Sequence, residues 1–85
     1  MKAVSAPEQV IAAARQSGNK RSAEYWRGAL DALRFRMLGD PIRCPYREGS
    51  VEFDAYFAGN ERGHHLWRDL QSGELALGRT SGAAS

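Results

Sequence analysis

The segment that most constrains the fold of this 85-residue chain reads L-G-D-P-I-R-C-P-Y-R-E-G-S and runs from Leu38 to Ser50. Gly39 is suited to end a helix, and Pro41 and Pro45 prevent that helix from continuing. Ser50 is suited to cap the start of the next helix. We call residues 38–50 the connector. It predicts two helices separated by a non-helical link, and therefore a small all-α fold.

The residues before the connector predict the clearest helix, over about residues 23–38, with Ser22 as its N-cap. Phe35 and Leu38 are expected to widen the buried face of this helix at its C-terminal end. Arg27, Asp31 and Arg34 lie three or four positions apart on the other side of this helix, where the ordinary expectation is a row of surface ion pairs. The buried face itself follows from apolar residues that recur every three or four positions, namely Tyr25, Trp26, Ala29, Leu30, Leu33 and Met37.

The residues after the connector predict a second long helix, over about residues 51–72. Gly59 and Gly63 lie four positions apart in it, and each costs about 1 kcal/mol relative to alanine in a helix interior. We therefore expect a close helix crossing, with the ring of Trp26 or Tyr25 lying over the glycine backbone. The predicted buried face comprises Phe53, Tyr56, Phe57, Asn60, Gly63, His64, Trp67 and Leu70.

The two long helices share a short sequence pattern. Residues 25–32 read Y-W-R-G-A-L-D-A and residues 56–63 read Y-F-A-G-N-E-R-G. Both contain two adjacent aromatic residues, a glycine three positions after the first, and a small residue four positions later. This spacing predicts two pseudo-equivalent helices packed as a hairpin around small residues.

A shorter N-terminal helix is predicted from Ser5 to Ser17, with a capping box between Ser5 and Glu8. Its apolar residues Val10, Ile11 and Ala14 form a thin stripe that can dock on the hairpin. Residues 1–4 and 79–85 are expected to be disordered. The whole chain, 1–85, is predicted to be a single small helical domain, because a chain this short has little room for a second core.

Composition favours a cytoplasmic protein. Cys44 is the single cysteine, so no internal disulfide can form, and the sequence shows neither a secretory signal nor a run of about 20 apolar residues.

Charge is unevenly distributed along the chain. Residues 15–47 hold eight basic and three acidic side chains, whereas residues 48–74 hold two basic and six acidic ones. The first region is suited to a phosphate backbone or an acidic protein.

The candidate partner-binding residues lie where the first long helix gives way to the connector. Arginines clustered there are suited to clamp phosphate groups. Tyr46 has two possible roles: its ring can close the end of the hairpin beside Cys44, or it can stack on an unpaired base. The predicted site comprises Arg34, Arg36, Arg43, Tyr46 and Arg47.

No catalytic residue, metal site or cofactor is predicted. His64 and His65 are adjacent in the sequence, so on a helix their side chains diverge by about 100 degrees and cannot chelate one metal ion. His64 is expected to be half-buried and His65 exposed. Cys44 lacks an identifiable base and oxyanion loop, so a cysteine nucleophile is disfavoured.

The C-P-Y sequence at 44–46, the G-S pair at 49–50 and the following helix with aromatic, glycine and small residues resemble the ribosome modulation factor family. Small plasmid and phage proteins that share its fold are similar too. The resemblance covers about residues 23–70. It implies two helices joined by this linker, and binding to the small ribosomal subunit near its messenger-binding region, which silences translation. The implied contacts are Arg43, Cys44, Pro45, Tyr46 and Arg47, with Arg34 and Arg36 nearby.

The sequence also supports a function from a different class. The acidic last helix, which carries Glu52, Asp54 and Glu61, is suited to imitate nucleic acid towards a basic groove. An aromatic patch could instead mediate a homodimer. This alternative describes a phage or mobile-element protein that inhibits a host defence complex, as anti-CRISPR proteins do. Both functions, RNA binding and inhibition of a protein complex, are those of a non-enzymatic protein without membrane contact.

Overall fold

The computed structural model describes residues 6–16 and 20–78, with side chains described as far as residue 72. The described residues form an all-α fold of three helices in chain order: α1 over Pro7–Arg15, α2 over Ala23–Leu38 and α3 over Val51–Gly78. Helix α3 is longer than the predicted 51–72. The two segments predicted to be disordered, 1–4 and 79–85, lie outside the described residues. No described helix combines the length and the apolar character needed to cross a membrane.

Helix α2 begins and ends where the sequence predicts. The backbone N–H of Tyr25 donates to the Ser22 side-chain oxygen at 3.2 Å, which satisfies one of the donors left free at a helix start. Gly39 ends the helix in the left-handed conformation, at φ 80°, where a residue without Cβ is least strained. Both predicted boundary residues are therefore confirmed.

Helix α3 is capped by Ser50, as predicted. The N–H of Phe53 donates to the Ser50 side-chain oxygen at 3.0 Å. Glu52 and Asp54 lie in the first turn, where negative charge interacts favourably with the positive end of the helix dipole.

Helices α2 and α3 form a hairpin whose crossing is built from small residues. A Cβ added to Gly59 would overlap the backbone carbonyl of Tyr25, and one added to Gly28 would overlap the backbone carbonyl of Tyr56. Gly63 meets the carbonyl oxygen of Ala29 in the same way. The two helices are therefore in backbone contact, which requires glycine at these positions.

The crossing confirms the pseudo-equivalence predicted from the shared pattern. The tyrosine of each copy of the pattern packs against the glycine of the other, so Tyr25 meets Gly59 while Tyr56 meets Gly28. The predicted ring stacking on glycine is wrong, because the atoms that approach the glycines are main-chain carbonyls. The ring of Trp26 is buried elsewhere, in the core shared with α1.

Asn60 adds a polar contact inside this crossing. Its side chain is 8% exposed, and its amide Nδ2 donates to the carbonyl oxygen of Gly28 at 3.1 Å. A buried amide left without a partner costs free energy, so this hydrogen bond makes the burial of Asn60 tolerable. It also fixes the position of α3 along α2.

Helix α1 covers one flank of the hairpin. Ile11 is buried against Trp26 and Leu33, with Val10 and Ala14 partly buried beside it, so the predicted stripe is confirmed. Partly buried residues of all three helices complete this core, including Leu30, Met37, Leu66 and Trp67.

The start of α1 and the end of α2 differ from the predictions. Ala6, not Ser5, precedes α1, and its N–H donates to the Gln9 side chain at 2.9 Å, so the Ser5–Glu8 capping box is wrong. Ser5 itself lies outside the described residues. Phe35 and Leu38 are exposed, at 44% and 62%, because they follow the buried Leu33 by two and five positions and so point about 200° and 140° round the helix from it. They do not widen the core.

Candidate functional site

The connector is held against the hairpin by hydrogen bonds to its main chain. The Tyr56 hydroxyl, whose single proton is donated chiefly to Asp31 at 2.5 Å, also lies 3.4 Å from the carbonyl oxygen of Arg43 and shares that proton with it only weakly. The Ser50 hydroxyl donates to the carbonyl oxygen of Arg47 at 2.6 Å, and the Ser50 N–H donates to the same oxygen at 3.0 Å. Ser50, the N-cap of α3, thus holds the backbone of Arg47, and Tyr56 of α3 contacts the backbone of Arg43.

The side chains of Arg43 and Arg47 are exposed. Within residues 6–16 and 20–78, neither guanidinium forms an ion pair or a side-chain hydrogen bond. Their charges therefore remain available to an anionic partner. Since the backbone at both positions is already held, less conformational entropy is lost when they bind.

Two other predicted site arginines have partners within the chain. Arg34 donates to Glu8 of α1 at 2.7 Å, and this contact lowers the pKa of Glu8 and raises that of Arg34. Arg36 donates from Nε to Nδ1 of His64 at 3.1 Å. The structure thus separates the predicted cluster into two arginines with partners in other helices and two exposed arginines on the connector.

Tyr46 is half-buried, and its ring packs edge-on against Tyr56 with ring centroids 6.0 Å apart. Nearby, the thiol of Cys44 lies 3.8 Å from the carbonyl oxygen of Tyr46. Tyr46 therefore packs against the hairpin, and its stacking on an unpaired base stays a prediction. Tyr46 and Cys44 hold the connector in place, as the sequence reading of their structural role predicts.

Tyr56 links the connector to the core of the hairpin, and this role is absent from the predicted site. Its ring is fully buried, and its hydroxyl donates to Asp31 at 2.5 Å. Burial and the neighbouring Asp31 carboxylate both raise the pKa of Tyr56, so the phenol stays protonated. Of the expected row of ion pairs, Arg27 and Asp31 pair at 3.3 Å, whereas Arg34 pairs with Glu8 instead. Asp31 also anchors Tyr56. Periodicity identified Tyr56 as a core residue and could not reveal its hydrogen bonds.

His64 is half-buried and His65 is exposed, as predicted. Burial lowers the pKa of His64, and the positive charges of Arg36 and Arg68 lower it further. His64 is therefore neutral at pH 7 and accepts the hydrogen bond from Arg36. Among the residues that the structure describes, no group of three His, Cys, Asp or Glu side chains is placed to hold a metal ion.

The acidic residues of α3 lie beside the connector. Glu52 and Asp54 are exposed in the first turn, and Glu61 is exposed two turns later. Positive charge on the connector thus adjoins the negative charge of Glu52 and Asp54 in the first turn of α3. Comparison of the chain with protein-family models, with curated proteins and with solved structures found no match.

Proposed function

We propose that this protein is a small non-enzymatic regulator that binds ribosomal RNA, or the RNA of another nucleic-acid machine, through the connector. It blocks the machine by occupying the site. The observation that carries the proposal is the pair of exposed arginines, Arg43 and Arg47, whose backbone is held by Tyr56 and Ser50. Arginine presents a planar fork that matches the oxygens of a phosphate group. The resemblance of the connector to the ribosome modulation factor family supports the same function.

The experiment that tests this proposal measures binding to purified ribosomal subunits and to ribosomal RNA at several salt concentrations. Affinity should fall steeply as salt rises, because phosphate contacts release counterions. Replacing both Arg43 and Arg47 by alanine should weaken binding and reduce the slope of log affinity against log salt by roughly 2.

A matched control removes two other exposed arginines, Arg15 on α1 and Arg68 on α3, which changes the net charge by the same amount. This control should keep most of the affinity and the salt slope. A complex whose affinity is independent of salt, or equal losses in both double variants, would contradict the proposal.

A second candidate function is inhibition of a protein complex, and exposed apolar side chains favour it. Phe35 and Leu38 lie one turn apart at the end of α2, and Val51 is 81% exposed at the start of α3. Apolar side chains exposed together are typical of protein interaction surfaces. A nuclease-resistant complex with one protein, lost on replacing Phe35 and Leu38 by serine, would support this candidate over RNA binding.

A further inference from the structure

A continuous series of ring contacts leads from the connector to the surface of α3. Tyr46 of the connector contacts Tyr56, and the Tyr56 ring contacts Phe57 with centroids 5.1 Å apart. Phe57 in turn contacts Phe53 at 4.9 Å. Phe57 is 41% exposed, so the series ends in an aromatic surface open to solvent. We call Phe53 and Phe57 the ring pair.

The ring pair begins beside the backbone of Arg47 on the connector. The Ser50 hydroxyl bonds the carbonyl oxygen of Arg47 and also accepts from the N–H of Phe53. One side chain therefore links the backbone of a connector arginine to that of the first ring. Because helix α3 is regular here, Phe57 follows one turn later on the same side as Phe53.

The charges around the connector and the ring pair favour phosphate contacts at the connector and uncharged contacts at the rings. Arg43 and Arg47 attract phosphates at the connector, whereas Asp54 and Glu61 repel them beside the rings. A nucleotide that lies across both parts would place its phosphate at the arginines and its uncharged base over the rings. Proteins that hold single strands combine these two features, a basic track for the backbone and aromatic rings for the bases.

We infer that the ring pair is a stacking platform for unpaired nucleobases, so that the nucleic acid bound at the connector is single-stranded. This inference rests on the proposed function and names its ligand class. A base inside a duplex is already stacked on both sides. A duplex can therefore contact the arginines through its phosphates, but it has no free base to stack on the ring pair.

The test compares an oligouridine RNA with a fully paired RNA duplex of the same length, using fluorescence anisotropy. The wild-type protein should bind oligouridine more tightly than the duplex. Phe57→Leu keeps an apolar side chain but removes the ring, and should weaken oligouridine binding at least about fivefold, while duplex binding stays unchanged. The salt slope should be unaffected, because no phosphate contact is lost.

Two further variants make the result specific. Phe57→Tyr retains a ring and should bind like the wild type, which separates stacking from a loss of folding. Phe35→Leu removes an equally exposed ring that contacts His64 and is outside the series, and should leave binding unchanged.

The possible outcomes distinguish this inference from the function on which it rests. Equal affinity for both RNAs, with loss only in the arginine variants, would overturn the stacking platform and leave RNA binding in place. No binding to either RNA would overturn both. Self-association of the protein that is lost in Phe57→Leu would assign the ring pair to a dimer interface and would also overturn the inference.

Discussion

At the scale of single residues, Tyr56 contacts three parts of the fold. Its ring lies in the helix crossing, its backbone carbonyl contacts Gly28, and its hydroxyl reaches both Asp31 and the main chain of Arg43. One side chain thus joins α2, α3 and the connector. The cost of burying a phenol is offset because its hydroxyl has a charged acceptor.

We therefore expect Tyr56→Phe to lower the free energy of unfolding by about 1.5–3 kcal/mol, the range for a lost hydrogen bond to a charged group. Urea denaturation followed by circular dichroism would measure this loss. Tyr46→Phe is the matched control, because the Tyr46 hydroxyl makes no hydrogen bond within the described part of the chain. Its effect should stay within about 0.5 kcal/mol, and equal losses in both variants would contradict the assigned role.

At the scale of secondary-structure elements, the α2–α3 crossing explains why Gly28, Gly59 and Gly63 occur inside helices. Glycine lowers helix stability in isolation, so propensity alone predicts that alanine at position 59 would be better. The crossing reverses this preference, because the backbone of Tyr25 occupies the space that a Cβ would need. Close packing between the helices outweighs the local penalty.

Gly59→Ala should accordingly destabilise the protein by about 3 kcal/mol, at the upper end of the range for overpacking, although it gains about 1 kcal/mol of helix propensity. Ala58→Gly serves as the control at the neighbouring exposed position and should cost only about 1 kcal/mol. Thermal denaturation of both variants gives the comparison. A more stable Gly59→Ala protein would mean that the helices do not cross at this residue.

At the scale of the whole molecule, stability should depend on pH through the contact between α2 and α3 at His64. In the folded protein the pKa of His64 lies below its unfolded value of about 6.5, so the unfolded chain binds more protons as pH falls. The contribution of neutral His64 is therefore complete above about pH 6.5. It is lost as pH falls from there through the folded pKa.

Denaturant unfolding at pH 7.5 and at pH 5.5 would detect this loss. His64→Gln should remove most of the pH dependence in this interval, since glutamine carries no titrating group. His65→Gln changes an exposed neighbour and should retain it. If the two variants behave alike, titration of His64 does not control stability in this range.

The arginines show which part of the candidate site can be predicted from the sequence. The cluster of Arg34, Arg36, Arg43 and Arg47 was visible in the sequence, but the division within it was not. Arg34 meets Glu8 and Arg36 meets His64, and both partners are distant in the chain. The prediction that Phe57 is buried is wrong for a similar reason. The spacing of three and four places Phe57 on the buried face of α3, but α2 does not cover its side chain, which is 41% exposed.

The all-α class, both ends of α2, the Ser50 cap and the small-residue crossing can all be predicted from the amino-acid sequence. These features depend on local chemistry: hydroxyl caps, a left-handed glycine, prolines that cannot continue a helix, and a spacing of three and four. Three features follow only from the packing of the helices: which arginines remain unpaired, which atoms contact the glycines, and where the aromatic rings reach the surface. Each of these depends on residues that are far apart in the chain, and one-dimensional patterns do not specify the positions of such residues relative to one another.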